Sequence, residues 1–166
     1  MGENLDLPER LSVRTPMPWT AYDNGGFSTA PPDCYVRPMT KDHDYGFQQV
    51  SVGSARAQPD SLLNWMASLM RVRKECGEIG AGTCSPVNTG TDAVLGLRHD
   101  MPDSTIVVFN NLSRGRKTIT VDMSDEEIAT ATDLFTDRTY KPIEPETRRF
   151  RIEGLGYRWM RLRGIY

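Results

Sequence analysis

The sequence predicts a mainly β protein, in which a C-terminal antiparallel β-sandwich (residues 79–166) follows a long loop and one α-helix (residues 1–78). Three observations support this prediction. Residues 1–60 are rich in proline and glycine, which interrupt helices and most strands. Residues 61–75 carry apolar side chains at helical spacing, and from about residue 80 the apolar residues recur with a period of two. The change of period places a domain boundary after residue 78.

The composition is typical of a globular protein. Of the 166 residues, 25% are charged and 38% are apolar, and no apolar run approaches the roughly 20 residues that span a bilayer. The formal net charge is −2 with both signs interspersed, so we expect neither nucleic acid nor a membrane as partner. Cys34, Cys76 and Cys84 form no CxxC pair and have no histidine at metal-ligand spacing. We therefore expect the protein to bind no metal or other cofactor. We also expect the three thiols to be free, in preference to a Cys76–Cys84 disulfide, and the protein to be cytoplasmic.

The first 60 residues predict a loop, and the next 15 predict a helix. A loop of this length in a compact domain indicates either a functional segment or a missing structural context. Asp60 is the expected N-cap of helix 61–75, and Gly77 is the expected left-handed cap after its end. Trp65 is expected to pack. The apolar stripe of the helix consists of Leu62, Met66, Leu69 and Met70, widened by Leu63.

The remaining sequence predicts about six to eight short strands. Ala93, Leu95 and Leu97 occupy alternate positions before a turn at 100–103. Residues 105–109 form a continuous β-branched and aromatic run, which predicts burial on both faces. Further strands are predicted over 117–121, 148–153 and 155–163, and residues 124–127 fit a capping box at a short helical turn.

Two neighbouring segments carry a resemblance to a known family. Residues 14–20 read RTPMPWT and residues 24–28 read NGGFS. They resemble a segment near the end of the catalytic barrel in the α-amylase clan (glycoside hydrolase family 13), which reads RTPMQW or RTPFPW followed by NAGF. The segments LPER, YGFQQVSV, SLLNW and GYRW, at residues 7–10, 45–52, 61–65 and 156–159, are similar to trehalose synthases and related α-glucosidases.

The resemblance implies that residues 1–78 are the last loop and helix of a (β/α)8 barrel. The catalytic carboxylates of the family lie upstream of the RTPMPW-like segment. Residues 96–100 read GLRHD and superficially resemble the family's nucleophile strand, but they lie downstream of that segment, which favours coincidence. We therefore expect the chain alone to be inactive, and the parent enzyme to isomerise maltose and trehalose or to hydrolyse α-glucosides.

The resemblance also implies a substrate-binding role for three residues. The guanidinium of Arg14 can hydrogen-bond sugar hydroxyls or a catalytic carboxylate. Trp19 and Phe27 can form a wall against the pyranose ring. The alternative is that these residues only anchor the loop. An α-glucan or disaccharide is expected to bind only in the context of the full barrel. At one position the motif departs from the trehalose-synthase pattern, because Pro18 replaces the commoner glutamine.

Two alternatives remain open at this stage. The chain could be a stand-alone α-glucan-binding β-sandwich, with aromatic residues for sugar stacking available at Tyr140, Tyr157, Trp159 and Tyr166. Tyr157 and Trp159 share strand parity and are expected to fill the core instead. The apolar stripe of helix 61–75 could pack on the sandwich or pair with a second copy of the chain, because burying each such side chain contributes about 1.5–3 kcal/mol.

Overall fold

A computed structural model describes residues 8–163 of the chain. The chain folds as two compact units, of which the first ends at Ser68 and the second begins at Leu69. The division lies inside the long helix, so that its first half belongs to one unit and its second half to the other. The predicted domain boundary after residue 78 lies further along the chain.

The first unit is built from short helical segments and loops. Three 3-10 helices span Glu9–Val13, Asp23–Gly26 and Pro32–Cys34. A six-residue helix, α1 (Val52–Ala57), begins at a capping box in which the Ser51 hydroxyl accepts from the Ser54 backbone N–H at 3.2 Å. Helix α1 was not predicted from the sequence, since Ser at the third helical position is a weaker capping signal than Glu or Gln.

The second unit is the antiparallel sandwich that the sequence predicts, with seven strands in the described residues. The strands are β1 (Thr83–Pro86), β2 (Val94–Met101), β3 (Ser104–Asn111), β4 (Lys117–Thr120), β5 (Thr132–Thr136), β6 (Arg149–Ile152) and β7 (Tyr157–Arg163). One sheet has the strand order β1-β2-β3-β7-β5, and the other contains β4 and β6. The remaining helices are α2 (Leu62–Glu75), α3 (Glu78–Ala81) and α4 (Asp125–Ala129). The predicted capping box at Ser124 and Glu127 is present at the start of α4.

Strand β3 is buried on both faces, as its continuous apolar run predicts. Val107 and Phe109 belong to a core cluster that also contains residues of β4, β6 and α4, so this cluster lies between the two sheets. Ile106 and Val108 belong to a second cluster on the opposite face, with Cys76 at its centre. The larger sheet is therefore covered on both sides, which explains why no alternation is visible in β3.

Two details of the sequence prediction were wrong. The hydroxyl of Ser61, rather than the side chain of Asp60, caps α2 by accepting from the Asn64 N–H at 3.2 Å. Gly77 has right-handed helical dihedrals (φ −56°, ψ −33°), so the chain enters α3 directly instead of taking a left-handed cap.

The packing of α2 and β2 also differs from the prediction. Val72 packs against the cluster around Cys76, whereas the predicted stripe is largely exposed, with Leu62 74% and Met70 57% accessible. In β2 Val94 is buried, whereas Leu95 is exposed. Both errors have one cause, since a periodic pattern identifies the element but does not identify the face that meets a neighbour.

Candidate functional site

The RTPMPW-like segment forms a tight loop closed by backbone hydrogen bonds. The backbone N–H groups of Trp19 and Thr20 donate to the carbonyl oxygen of Gly25 at 2.7 and 2.9 Å. Asn24, Gly25 and Gly26 all have φ between 54° and 65°, a left-handed conformation that glycine adopts without strain. A Cβ on Gly25 would lie 2.5 Å from the Met39 side chain. The two glycines of this segment are thus required by the shape of the loop.

This loop forms one side of an apolar groove with arginine side chains in its wall. The groove has a volume of about 630 Å³ and is lined by Arg14, Phe27, Tyr35, Arg37 and intervening residues. The rings of Phe27 and Tyr35 meet edge to face at 5.8 Å, and the Tyr35 hydroxyl donates to the Ser28 carbonyl at 3.1 Å. The Nε of Arg37 donates to the Arg14 carbonyl at 3.5 Å. The groove presents aromatic edges and cations, and its lining contains no carboxylate.

Two of the three predicted binding residues share this groove. Arg14 and Phe27 line it, but Trp19 does not. The backbone of Trp19 anchors the loop instead, since its carbonyl accepts from the Gly53 N–H at 2.9 Å, and its ring is 48% exposed. Sequence reasoning did not single out Tyr35 and Arg37, which lie outside the recognisable motif and reach the groove only through the fold.

A second groove of about 930 Å³ in the same unit is lined by Pro18, Met39, Asp42 and Phe47 among others. Asp42 is the only acidic residue in this lining. Its carboxylate accepts from the backbone N–H groups of Tyr45 and Asp44, which hold the pKa of Asp42 below its ordinary value. Neither groove therefore has the pair of opposed carboxylates that glycosidic cleavage uses.

The GLRHD segment forms a charged network rather than a cleft. Arg98 Nε lies 2.7 Å from Asp100 Oδ1, and the guanidinium also donates to Glu127 Oε1 at 2.6 Å. Burial alone would raise the pKa of Glu127, but hydrogen bonds from Ser124 and Arg98 hold it below its ordinary value. Because one guanidinium joins the two carboxylates, no sugar-sized space separates them. The geometry supports the interpretation that the sequence match is coincidental.

The aromatic residues of the sandwich are mostly engaged in packing. The ring of Tyr157 stacks on Phe135 at 4.9 Å, and Trp159 meets Phe135 edge to face at 5.9 Å. Trp159 also packs against the cluster around Cys76. The Tyr140 hydroxyl donates to Asp137 at 2.6 Å, and burial together with this bond raises the pKa of Tyr140 to about 12. Tyr166 lies outside the described residues.

The described residues contain neither a cluster of metal ligands nor a membrane-spanning helix. Within residues 8–163, no three or more His, Cys, Asp or Glu side chains are grouped so that they could hold a metal ion. None of the helices in that range is both long enough and apolar enough to cross a bilayer.

Comparisons with known proteins connect the chain to carbohydrate enzymes. It is 31% identical to the trehalose synthase of Pimelobacter sp. (strain R48) over 98% of its own length and 29% of that protein. It is also 31% identical to the trehalose synthase/amylase of Mycobacterium tuberculosis (strain H37Rv), over 98% of the chain and 28% of that protein. No protein-family model matches the chain.

The fold is shared with part of a solved enzyme structure. The structure superposes on trehalose-6-phosphate hydrolase of Bacillus licheniformis with a TM-score of 0.68 and 21% identity, covering 93% of this chain and 26% of that one. The chain thus spans less than a third of the proteins that it matches. The RTPMPW-like loop, the sandwich and these relatives agree, and the chain therefore belongs to the α-amylase clan (glycoside hydrolase family 13), corresponding to the C-terminal part of such an enzyme.

Proposed function

We propose that the chain is part of a trehalose synthase-like enzyme that interconverts maltose and trehalose, with hydrolysis of α-glucosides as the alternative activity. The similarity to trehalose synthases along nearly the whole chain is the observation that carries the proposal. The catalytic carboxylates are proposed to lie in the rest of the barrel. The two grooves of the first unit support this location of the catalytic carboxylates, because neither groove has a pair of acidic residues in its lining.

The proposed contribution of this chain is one wall of the substrate site. Arg14 and Phe27 line the groove of about 630 Å³, a volume within the range of small-ligand sites. The described residues offer the exposed Arg14 guanidinium no hydrogen-bond acceptor, so its donors can bind sugar hydroxyls or a carboxylate of the barrel. Phe27 is 47% exposed and presents an apolar face to the ring of a sugar. Trp19 is proposed to contact substrate only if the barrel brings it to the same site.

A chimera tests this role. The segment of the Pimelobacter trehalose synthase that matches this chain is replaced by residues 1–166, and maltose–trehalose interconversion is measured. We expect Arg14→Ala to lower kcat/KM by about 10- to 150-fold, since it removes a charge-assisted bond worth roughly 1.5–3 kcal/mol. Arg56→Ala is the matched control, because Arg56 is exposed on α1 of the same unit and lies outside both grooves. Equal activity of the two variants would contradict the role of Arg14.

The chain alone is proposed to be inactive. We expect no turnover when it is incubated with maltose, trehalose or an aryl α-glucoside. Activity that Asp100→Asn or Glu127→Gln abolishes would refute the proposal, since it would place the reaction in the network around Arg98. The genomic sequence upstream of Met1 is a second test, which should encode a barrel with its acidic residues in frame.

The exposed face of α2 also enters the proposal. Leu62, Leu63, Met66 and Met70 are each at least 40% exposed. We propose that the rest of the barrel covers this face in the whole enzyme and that a second copy covers it in the isolated chain, as a homo-oligomer. Light scattering of the isolated chain distinguishes a dimer from a monomer.

The free state of Cys34, Cys76 and Cys84 supports the proposal that the enzyme is cytoplasmic.

The alternative function, a stand-alone glucan-binding sandwich, receives less support from the structure. Tyr157 and Trp159 are both half-buried and contact Phe135, which leaves them little free face for sugar stacking. Retention of the chain on an amylose gel, lost in Tyr157→Ala, would favour this alternative.

A further inference from the structure

A cysteine and a histidine lie side by side at the edge of the larger sheet. Cys84 is exposed on β1, the edge strand, and its register partner on β2 is His99. The Cys84 Sγ lies 3.9 Å from His99 Nε2. His99 is only 9% exposed, and its Nδ1 is buried without a hydrogen-bond partner among the described residues. Within residues 8–163, the polar contact of this buried ring is therefore with the sulfur.

That arrangement assists the departure of the thiol proton in either neutral form of the imidazole. If Nδ1 carries the ring proton, Nε2 is a free acceptor for the Cys84 S–H group. If Nε2 carries it, the N–H group can donate to the thiolate that forms. The thiolate is the nucleophilic form of cysteine, and exposure gives a reagent access to it. We propose that Cys84 is a modification site, a thiol that His99 activates toward low-molecular-weight disulfides and small electrophiles.

The reaction with a disulfide balances without any further reactant. The Cys84 sulfur attacks one sulfur of the disulfide, so that a Cys84–S–S bond forms and the original S–S bond breaks. The cysteine is oxidised, and the departing half of the disulfide is reduced to a thiolate. If Nδ1 carries the ring proton, the proton of Cys84 passes to His99 Nε2 and from there through water to the departing thiolate. If Nε2 carries it, the proton of Cys84 passes directly to water and then to the departing thiolate.

The two other cysteines are internal controls. Cys34 is also exposed, but no imidazole lies within hydrogen-bond distance of its sulfur among the described residues. Cys76 is only 1% exposed, and burial raises the pKa of its thiol. Cys84 and Cys34 therefore differ mainly in the presence of His99, whereas Cys76 reports whether the chain stays folded during the reaction.

The test measures the rate at each cysteine of the full chain by peptide mass spectrometry, with iodoacetamide and oxidised glutathione as probes. We expect Cys84 to react roughly tenfold faster than Cys34, a modest factor because the N···S contact is long. Cys76 is expected to stay unmodified. His99→Gln should lower the rate at Cys84 to that at Cys34 and leave Cys34 unchanged. Equal rates at Cys84 and Cys34 in the native chain would overturn the proposal.

A second measurement covers the case in which His99→Gln does not fold. The ¹⁵N chemical shifts of the His99 ring are compared between the native chain and Cys84→Ala. We expect the Nε2 resonance to move when the sulfur is removed, and the ring resonances of His43 to stay in place because His43 contacts Asp44 instead. An unchanged Nε2 resonance would overturn the proposal. Neither outcome bears on the enzymatic role of the first unit, since this inference does not rest on it.

Discussion

Residues 8–68 and 69–163 bury apolar side chains to very different extents. In the described part of the first unit, only Met39 and Phe47 are buried among the large apolar residues, while Tyr22 is 81% and Val36 is 95% exposed. The second unit has a closed core between its sheets and another cluster beneath α2 and α3. The second unit can thus be stabilised by its own packing, whereas the first unit leaves more apolar surface exposed. This contrast agrees with a chain that corresponds to the C-terminal part of an α-amylase-clan enzyme.

The largest expected effect is in backbone hydrogen exchange. Amide hydrogens of β3 in the second unit should exchange only on global unfolding, so we expect protection of about 10,000-fold or more. Amides of the loop that precedes α1 in the first unit should show far less protection. Exchange of the intact chain, followed by mass spectrometry of peptides, measures both at once. Equal protection in the two units would contradict the expectation that their difference in apolar burial produces a difference in stability.

Removing an aromatic ring from each unit provides the next largest contrast. Phe109 is fully buried and packs edge to face on Phe150 at 5.2 Å. We expect Phe109→Ala to lower the free energy of unfolding by about 3–5 kcal/mol. The matched control is Phe27→Ala, because the Phe27 ring is half-exposed in the groove. Its removal should lower the free energy of unfolding by less than about 1 kcal/mol. Urea denaturation of both variants measures the difference, and similar losses would contradict it.

A buried ion pair of the second unit gives a smaller, pH-dependent effect. Glu78 accepts from Arg161 at 2.8 and 3.2 Å and from the Ser104 hydroxyl at 2.8 Å, and its side chain is only 6% exposed. Burial alone would raise the pKa of Glu78, but these bonds hold it below the ordinary value of 4.5. Its contribution to stability is therefore complete above pH 4.5 and is lost as the pH falls through the lower pKa of the folded state.

The variant Glu78→Gln isolates this contribution. We expect it to lower the free energy of unfolding at pH 7 by about 2–3 kcal/mol, because Arg161 loses the charge of its partner. The native chain and the variant should converge in stability as the pH falls below the ordinary carboxyl value. Thermal unfolding between pH 3 and pH 7 follows this convergence. A constant difference across that range would show that the charge of Glu78 is not the cause.

The smallest expected effect concerns the exposed face of α2. Because Leu62 is 74% exposed, Leu62→Gln should change the free energy of unfolding of a monomeric chain by less than about 0.5 kcal/mol. If the isolated chain is a dimer through this face, the same substitution should instead shift light scattering toward monomer. Val72→Gln is the matched control within α2, since Val72 packs on the sheet and its loss should destabilise the monomer.

Two of the three predicted substrate-binding residues line the groove of about 630 Å³. Arg14 and Phe27 were identified because a specific motif contains them, and the glycines of that motif fix the loop that places them. Tyr35 and Arg37 were missed, because no local pattern marks a residue that enters a groove from a later loop. Trp19 lies in the same motif but outside that groove. The substrate-binding roles of Arg14, Trp19 and Phe27 all remain predictions.

The sequence by itself determined the type of several major elements. Continuous β-branched residues specify a strand buried on both faces, and the Ser124–Glu127 capping box specifies the start of α4, because these signals are local. Only the tertiary structure decided which side of α2 meets the sheet, which residue of β2 faces the core, and that His99 lies against Cys84. Those outcomes depend on which elements become neighbours, a long-range property that local periodicity does not contain.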